Sequence, residues 1–213
     1  MSSTPDLAHQ IARYLLQIRA VALRPNDPFT WTSGIKSPIY CDNRLTMSYP
    51  KVRDAIAEGF ASVIREQFLQ LDAVAGTATA GIPHAAWVAQ KLECPMVYVR
   101  DKAKGHGKKN QIEGHLNAGD RVIVIEDLIS TGGSSLKAAQ AVQDAGAQVL
   151  AVLAIFSYQF DDAHQAFTDA GIPLITLSNY SALIDTALEM GYVENESLEQ
   201  LKAWRQNRNA YHV

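Results

Sequence analysis

The sequence has 213 residues, a formal net charge of −3, 47% hydrophobic residues and 19% charged residues. This composition is that of a soluble globular protein with one substantial core, and its slight acidity argues against a general nucleic-acid-binding protein, which is usually basic. Cys41 and Cys94 are the two cysteines, too few for a disulfide framework or a cysteine-rich zinc site.

The first residues and the apolar runs of the chain bear on its location. Residues 1–6 contain no basic stretch leading into an apolar run, so no secretory signal is visible. The longest apolar run, residues 149–156, is far too short to span a membrane. We therefore expect a cytoplasmic protein that does not contact membranes.

The N-terminal segment predicts a helix followed by an irregular region. Thr4 is a candidate cap, Pro5 suits the first helical position, and apolar residues recur at helical spacing up to Ala22, which predicts a helix ending before Pro25. We expect it to form part of a hood over the main sheet. Residues 29–42 contain β-formers broken by small residues and proline, which predicts a hairpin or an irregular loop.

The next segment predicts a helix, a strand, a loop and a second helix. Ser48 is expected to cap a helix from Tyr49 to about Gln70, whose inner side carries Val52, Ile56, Phe60, Val63 and Ile64. Residues 73–76 predict a short strand. The small residues that follow, 77–83, open the next helix, and they fit an anion site or an ordinary tight turn equally well.

Residues 100–114 follow a predicted strand at 96–99 and are rich in Lys, Arg and Gly. Three interpretations are open: a solvated basic loop, a nucleic-acid patch, or a lid that brings cations to a substrate. We expect this segment to be mobile when nothing is bound.

The most informative stretch runs from Arg121 to Leu136. An apolar β-branched run predicts a buried parallel strand, and Glu126 and Asp127 follow at its carboxyl end, where open α/β sheets bind ligands. Small hydroxyl and glycine residues then lead into a helix, an arrangement that can cradle a phosphate. The two acids suit a magnesium ion or ribose hydroxyls. The stretch lacks the spacing of a P-loop or a dinucleotide-binding motif.

The remainder of the chain predicts alternating helices and strands. Helices are expected at 132–145, ending at Gly146, and at 162–170, 181–190 and 196–206, with strands at 148–156 and 173–176. This alternation predicts an α/β fold, a parallel twisted sheet flanked by helices. Five histidines show no ligand-like grouping and are expected to be packed or solvated: His9, His84, His115, His164 and His212.

Three segments resemble one known family. The loop of small residues at 130–135 (the cradle), together with the strand and the two acids before it, resembles the 5-phosphoribosyl pyrophosphate (PRPP) signature of type I phosphoribosyltransferases. The pattern Phe-Thr-x-x-Ser-Gly-x-x-Ser-Pro-x-Tyr-x-Asp in residues 29–42 resembles the base-binding hood of the orotate enzymes, which the purine enzymes lack. Arg-x-x-x-Lys-x-His-Gly, beginning at Arg100, resembles their catalytic loop. The resemblance covers about the whole chain and implies a single domain, residues 1–213, with a small N-terminal hood built mainly from residues 1–45.

The resemblance also implies an activity. The chain would transfer the 5-phosphoribosyl group of PRPP to orotate, giving orotidine 5′-monophosphate and pyrophosphate in de novo pyrimidine (UMP) biosynthesis. It would need Mg²⁺, held mainly by PRPP, and would act as a homodimer whose sites are shared between chains. It implies no nucleic-acid partner.

The family pattern assigns roles residue by residue. The residues implied to be catalytic are Arg100, Lys104, His106 and Asp127. The residues implied to bind PRPP are Arg100, Lys104, His106, Glu126, Asp127, Leu128, Ile129, Ser130, Thr131, Gly132, Gly133 and Ser134. The residues implied to bind orotate are Ser130, Ile39 and Tyr40.

The chain departs from some branches of the family at three positions where those branches carry lysine. These positions hold Thr32, Ala80 and Asp101. Lys36 and Lys102 are candidates to replace the missing charges. Two other functions stay open at this point: a transferase for a purine or for uracil, and a PRPP-sensing regulator without turnover. The regulator would need a nucleic-acid-binding module, and the stretch before the hood is too short for one.

Overall fold

In the computed structural model, which describes residues 5–31, 34, 36–102 and 111–207, a six-stranded sheet forms the centre of the chain. The strands are β1 (Val21–Leu23), β2 (Phe29–Thr30), β3 (Lys36–Ser37), β4 (Ile39–Cys41), β5 (Ala73–Thr77), β6 (Met96–Val99), β7 (Ile112–Glu113), β8 (Arg121–Ile129), β9 (Gln148–Ser157) and β10 (Leu174–Asn179). The helices are α1 (Pro5–Gln17), α2 (Pro50–Gln67), α3 (Gly81–Leu92), α4 (Gly133–Asp144), α5 (Asp161–Asp169), α6 (Tyr180–Glu189) and α7 (Asn195–Gln206), with a 3-10 helix at Asn43–Ser48.

The central sheet has the order β10-β9-β8-β5-β6-β7. Its strands are parallel except β7, which is antiparallel to β6. The strand predicted near residue 174 is an edge strand, β10, as expected. The predicted parallel sheet flanked by helices is therefore confirmed.

The sheet is covered on both faces, which explains the continuous apolar run of β8. Ile123 and Ile125 belong to one apolar cluster, which also contains residues of α1, α2, α3, α6 and α7. Val122 and Val124 point the other way, into a cluster with residues of α4 and α5. Because both faces of β8 are buried, neither needs polar residues until the strand reaches the sheet edge.

The first helix is shorter than its apolar spacing predicts. It ends at Gln17, and the chain turns at Arg19, which has a positive φ of 58°. Ala22, predicted to be helical, lies in β1 opposite Tyr40 of β4. Strand pairing to a distant segment overrides the local helical periodicity here. Arg19 carries no sequence signal for such a turn.

The start of the second helix also differs from the prediction. Ser48 ends the 3-10 helix, and Tyr49 is the N-cap of α2, without a side-chain cap hydrogen bond. The helix ends at Gln67, since Phe68 is already extended. The predicted inner side of this helix is confirmed, because all five of its apolar residues are buried: Val52, Ile56, Phe60, Val63 and Ile64.

The N-terminal region contains two small antiparallel sheets, β1–β4 and β2–β3. The helix α1 packs against β10 and α6, and Ser178 of β10 donates a hydrogen bond to the carbonyl of Ala8 (2.8 Å). Strand β4 leads directly into the 3-10 helix, which contacts β8. These connections bring the end of β4 to the edge of the sheet where Glu126 and Asp127 (the acidic pair) lie.

Candidate active site

The acidic pair lies in the last four residues of β8. Glu126 and Leu128 still pair with β9, whereas β5 pairs with β8 only as far as Ile125. Beyond Ile125, the edge of β8 that faces β5 therefore has no neighbouring strand. This opening at the carboxyl ends of two parallel strands is where a ligand can approach the carboxylates.

Both carboxylates are held in a poorly hydrated place. Glu126 is 5% exposed; its Oε1 accepts from the Asp127 amide (3.0 Å) and its Oε2 from the Ser134 hydroxyl (3.3 Å). Burial, and then repulsion by Asp127, raises the pKa of Glu126, and burial raises the pKa of Asp127. The pair is thus poised to gain from a ligand that brings hydrogen-bond donors or positive charge.

Replacing Glu126 with Gln is expected to stabilise the free protein more at high pH than at low pH. The pKa of Glu126 rises from 4.5 to about 8 on folding, so the native state binds more protons than the unfolded state between these values. The stability linked to this group is full below pH 4.5 and is lost as the pH rises toward 8. Gln does not titrate, so the variant does not lose this stability as the pH rises.

We expect thermal unfolding to show the variant gaining on the order of 2 kcal/mol over wild type between pH 5 and pH 8. Glu196→Gln, which removes an exposed carboxylate of α7, is the control and should show no such trend. An equal gain for Glu126→Gln at both pH values would contradict the raised pKa.

A cavity of about 390 Å³ opens beside the pair. It is lined by the end of the hood, the loop after β5, the acidic pair and the start of α4: Cys41, Asp42, Arg44, Ala78, Thr79, Ala80, Glu126, Asp127, Leu128 and Ser134. Three of the four segments that the sequence marked for chemistry therefore meet at one place.

The loop after β5 can approach the pair because α3 begins with a glycine. A Cβ at Gly81 would clash with the carbonyl oxygen of Ile125. Only a residue without a side chain lets the start of α3 pack this closely on β8, and the loop residues 78–80 consequently run along the cavity wall.

The cradle between β8 and α4 has the backbone that an anion site requires. Gly132 has a φ of +79° and precedes the first residue of α4, and its carbonyl accepts from the Ser135 hydroxyl (3.2 Å). Gly133 is exposed, and a Cβ there would meet little except the Thr131 hydroxyl at 4.0 Å. The space beside Gly133 is therefore open at the end of α4 where amides lack intrahelical acceptors and the positive end of the helix dipole lies.

The hood residues predicted to bind the base differ in exposure. Ile39 is buried, and its amide donates to the Ser37 hydroxyl (3.2 Å). Tyr40 is 46% exposed and its ring lies 5.7 Å from that of Phe29. The Tyr40 ring is therefore accessible to a ligand, while the Ile39 amide already has a partner. Neither residue lines the cavity described above.

Residues 100–114 form the basic segment, and the structure describes both of its ends. The Arg100 amide donates to the Gln111 carbonyl (2.8 Å), which closes the excursion between β6 and β7. The Arg100 guanidinium forms an ion pair with Glu113 (3.3 Å) and does not line the cavity. Lys104 and His106, with the predicted mobility of this segment, lie outside the described residues, as does Thr32.

Comparisons with known proteins agree with this geometry. A family model described as a phosphoribosyl transferase domain matches residues 48–188. An orotate phosphoribosyltransferase of Halalkalibacterium halodurans is 59% identical over 197 residues, which is 92% of this chain and 94% of that protein. The chain belongs to the orotate phosphoribosyltransferase family.

Other members of the family support the assignment. One from Listeria monocytogenes is 59% identical over 202 residues, covering 95% of this chain and 97% of that protein. The solved structure of the Aeropyrum pernix member aligns with a TM-score of 0.74 at 28% identity, covering 86% of this chain and 99% of that one.

The sequence did not single out two residues on the hood side of this site, Asn43 and Arg44. Arg44 contacts Asp42 with two hydrogen bonds (2.6 and 2.9 Å), and these hold the pKa of the Asp42 carboxyl below its ordinary value. Asn43, between them, donates to the main-chain oxygen of Asp127 (2.7 Å). Asp42 closes the hood pattern, but a contact across 84 residues leaves no local signal.

Two negative observations apply to the described part of the chain. No group of three or more His, Cys, Asp or Glu side chains there is arranged to hold a metal ion. None of the helices in these ranges combines the length and apolar character needed to cross a membrane.

Proposed function

We propose that this protein transfers the 5-phosphoribosyl group of PRPP to orotate, producing orotidine 5′-monophosphate and pyrophosphate. The observation that carries the proposal is the cavity in which the end of the hood, the loop after β5 and the acidic pair meet. The identity of 59% to orotate phosphoribosyltransferases over nearly the full chain supports orotate as the base.

In the proposed reaction, a ring nitrogen of orotate attacks the anomeric carbon of PRPP as the bond to the pyrophosphate oxygen breaks. Positive charge develops on the ribose. Glu126 and Asp127 form hydrogen bonds with the ribose hydroxyls, and the negative charge that the pair carries stabilises the positive charge on the ribose. Their burial supports this role, because a charge interaction is strongest where water is excluded.

The cradle is proposed to grip the 5′-phosphate. The backbone from Ser130 to Ser134, with Leu128 and Ile129 leading into it, supplies amides and hydroxyls at the start of α4. The open space at Gly133 and the positive φ of Gly132 support this assignment. Ser130 is also proposed to contact orotate, together with Ile39 and Tyr40.

The leaving pyrophosphate is proposed to contact the loop at residues 77–80 and three basic side chains, those of Arg100, Lys104 and His106. Arg100 would exchange its present ion pair with Glu113 for the leaving oxygens. Mg²⁺ carried by PRPP would neutralise charge on the leaving group. Burial raises the pKa of both acidic residues, and the attraction of Asp127 to Arg44 only partly opposes it, so further positive charge brought with PRPP would stabilise the ionised pair.

We also propose a homodimer in which the basic segment of one chain reaches the site of its partner. The short β6–β7 ladder anchors both ends of this segment at one edge of the sheet, whereas β8 lies two strands away, beyond β5. A lid from a second chain supplies cations to the cavity without crossing that edge.

The proposed activity predicts that orotate absorbance falls when PRPP and Mg²⁺ are added, and that EDTA abolishes the change. Orotidine 5′-monophosphate and pyrophosphate should appear in equal amounts. Adenine, hypoxanthine and uracil serve as the competing bases. Turnover of one of these without turnover of orotate would refute the assignment of the base, and binding of PRPP without turnover of any base would favour a regulator.

A further inference from the structure

A buried asparagine joins the hood to the acidic pair. Asn43 is 1% exposed. Its Nδ2 donates to the main-chain oxygen of Asp127 (2.7 Å), and its Oδ1 accepts from the Cys41 thiol (3.3 Å). A carbonyl can only accept and a thiol prefers to donate, so both contacts require the same orientation of the amide group.

The contact with Asp127 fills a gap in the sheet. Since β5 stops pairing with β8 at Ile125, the backbone beyond that point lacks strand partners on this side. The Asp127 carbonyl is partly removed from water, and such carbonyls are usually hydrogen-bonded. Asn43 supplies the donor in place of β5, so the backbone that carries the Asp127 carboxylate is held by the hood.

Asn43 is itself held by two further buried side chains. The hydroxyl of Thr46 donates to the main-chain carbonyl of Asn43 (2.5 Å), and His84 Nε2 lies 3.3 Å from that hydroxyl oxygen. The single hydroxyl hydrogen is used at Asn43, so His84 must be the donor in the second contact. Burial lowers the pKa of His84 to about 4, which leaves the ring neutral with its proton on Nε2.

His84 belongs to the first turn of α3, directly after the loop that lines the cavity. The chain of contacts therefore runs from the acidic pair through Asn43 and Thr46 to the helix behind the proposed pyrophosphate loop. It connects the parts of the site that must hold ribose and leaving group at a fixed separation.

We propose that Asn43 is a positioning residue for Asp127, and that Thr46 and His84 keep Asn43 in register with the pyrophosphate loop. The inference rests on the proposed function, in which the Asp127 carboxylate acts on the ribose. Asn43 touches no substrate in this scheme. It acts by keeping the carboxylate where charge develops, and small misplacements of such a group are costly.

A double-mutant cycle tests this role. Asn43→Ala should lower kcat about tenfold, because the half-buried main-chain carbonyl of Asp127 loses its donor and the residue shifts, while the calorimetric Kd for PRPP stays within about twofold of wild type. In an Asp127→Asn background the same change should cost less than about twofold, since the carboxylate being positioned is gone. Equal losses in both backgrounds, as a purely structural role predicts, would overturn the proposal.

A second pair of variants guards against a folding defect. Thr46→Val keeps the shape but removes the hydroxyl, and should lower kcat in the same non-additive way. Thr46→Ser restores the hydroxyl and should recover most of the loss. Equal kcat values for the Val and Ser variants would count against the network. A wild type that uses another base would refute the proposed function but not this inference, because the cycle can be run with that base.

Discussion

Asp127→Asn is expected to lower kcat about 100-fold while leaving the Kd for PRPP nearly unchanged. Asn keeps the size of the side chain and can still bond a ribose hydroxyl, so ground-state binding survives. What is lost is the negative charge facing the cationic sugar in the transition state, and removing one preorganised electrostatic group costs about that factor.

Steady-state kinetics with isothermal titration of PRPP measure the two effects separately. Asp185→Asn, an exposed carboxylate of α6, controls for the change in net charge and should match wild type. If kcat holds while KM for PRPP rises, the Asp127 carboxylate is only an anchor for the ribose, and stabilisation of the developing charge must come from elsewhere.

Mixing two inactive variants is expected to restore activity to roughly a quarter of wild type. Lys104→Ala removes a cation from the basic segment, and Asp127→Asn damages the acidic pair; each alone should lose about 100-fold. In a mixed homodimer with a shared site, the Lys104→Ala chain keeps an intact acidic pair and receives the intact basic segment of its partner. The other site carries both changes.

The factor follows from random pairing, which makes half the dimers mixed, each with one complete site of two. Co-expression with two different affinity tags isolates the mixed dimers, which should then show about half of wild-type activity. If the basic segment serves its own chain, neither site of the mixed dimer is whole. Activity no greater than the mean of the two variants would then be found, and the shared site would be rejected.

The location of the acidic pair was predictable because its signals are local. A strand that is buried on both faces can be recognised in a sequence as a run of apolar residues. In a parallel sheet, the carboxyl end of such a strand lies at the edge where ligands bind. The same holds for the cradle, where Gly132 needs its positive φ. The helix starting at residue 5 is shorter than its apolar spacing predicts, because its end depends on β1 pairing with β4.

The α/β class, the order of the segments and the residues of the acidic pair and cradle can be predicted from the sequence, since each depends on neighbours within a few positions. The side chains that support them are visible only in the folded chain. Asn43, Thr46 and His84 reach their partners across 84, 3 and 38 residues. The contact of Asn43 arises because β5 stops pairing with β8 at Ile125, leaving a half-buried edge that a distant side chain satisfies. The contact of His84 arises because α3 packs beside the 3-10 helix.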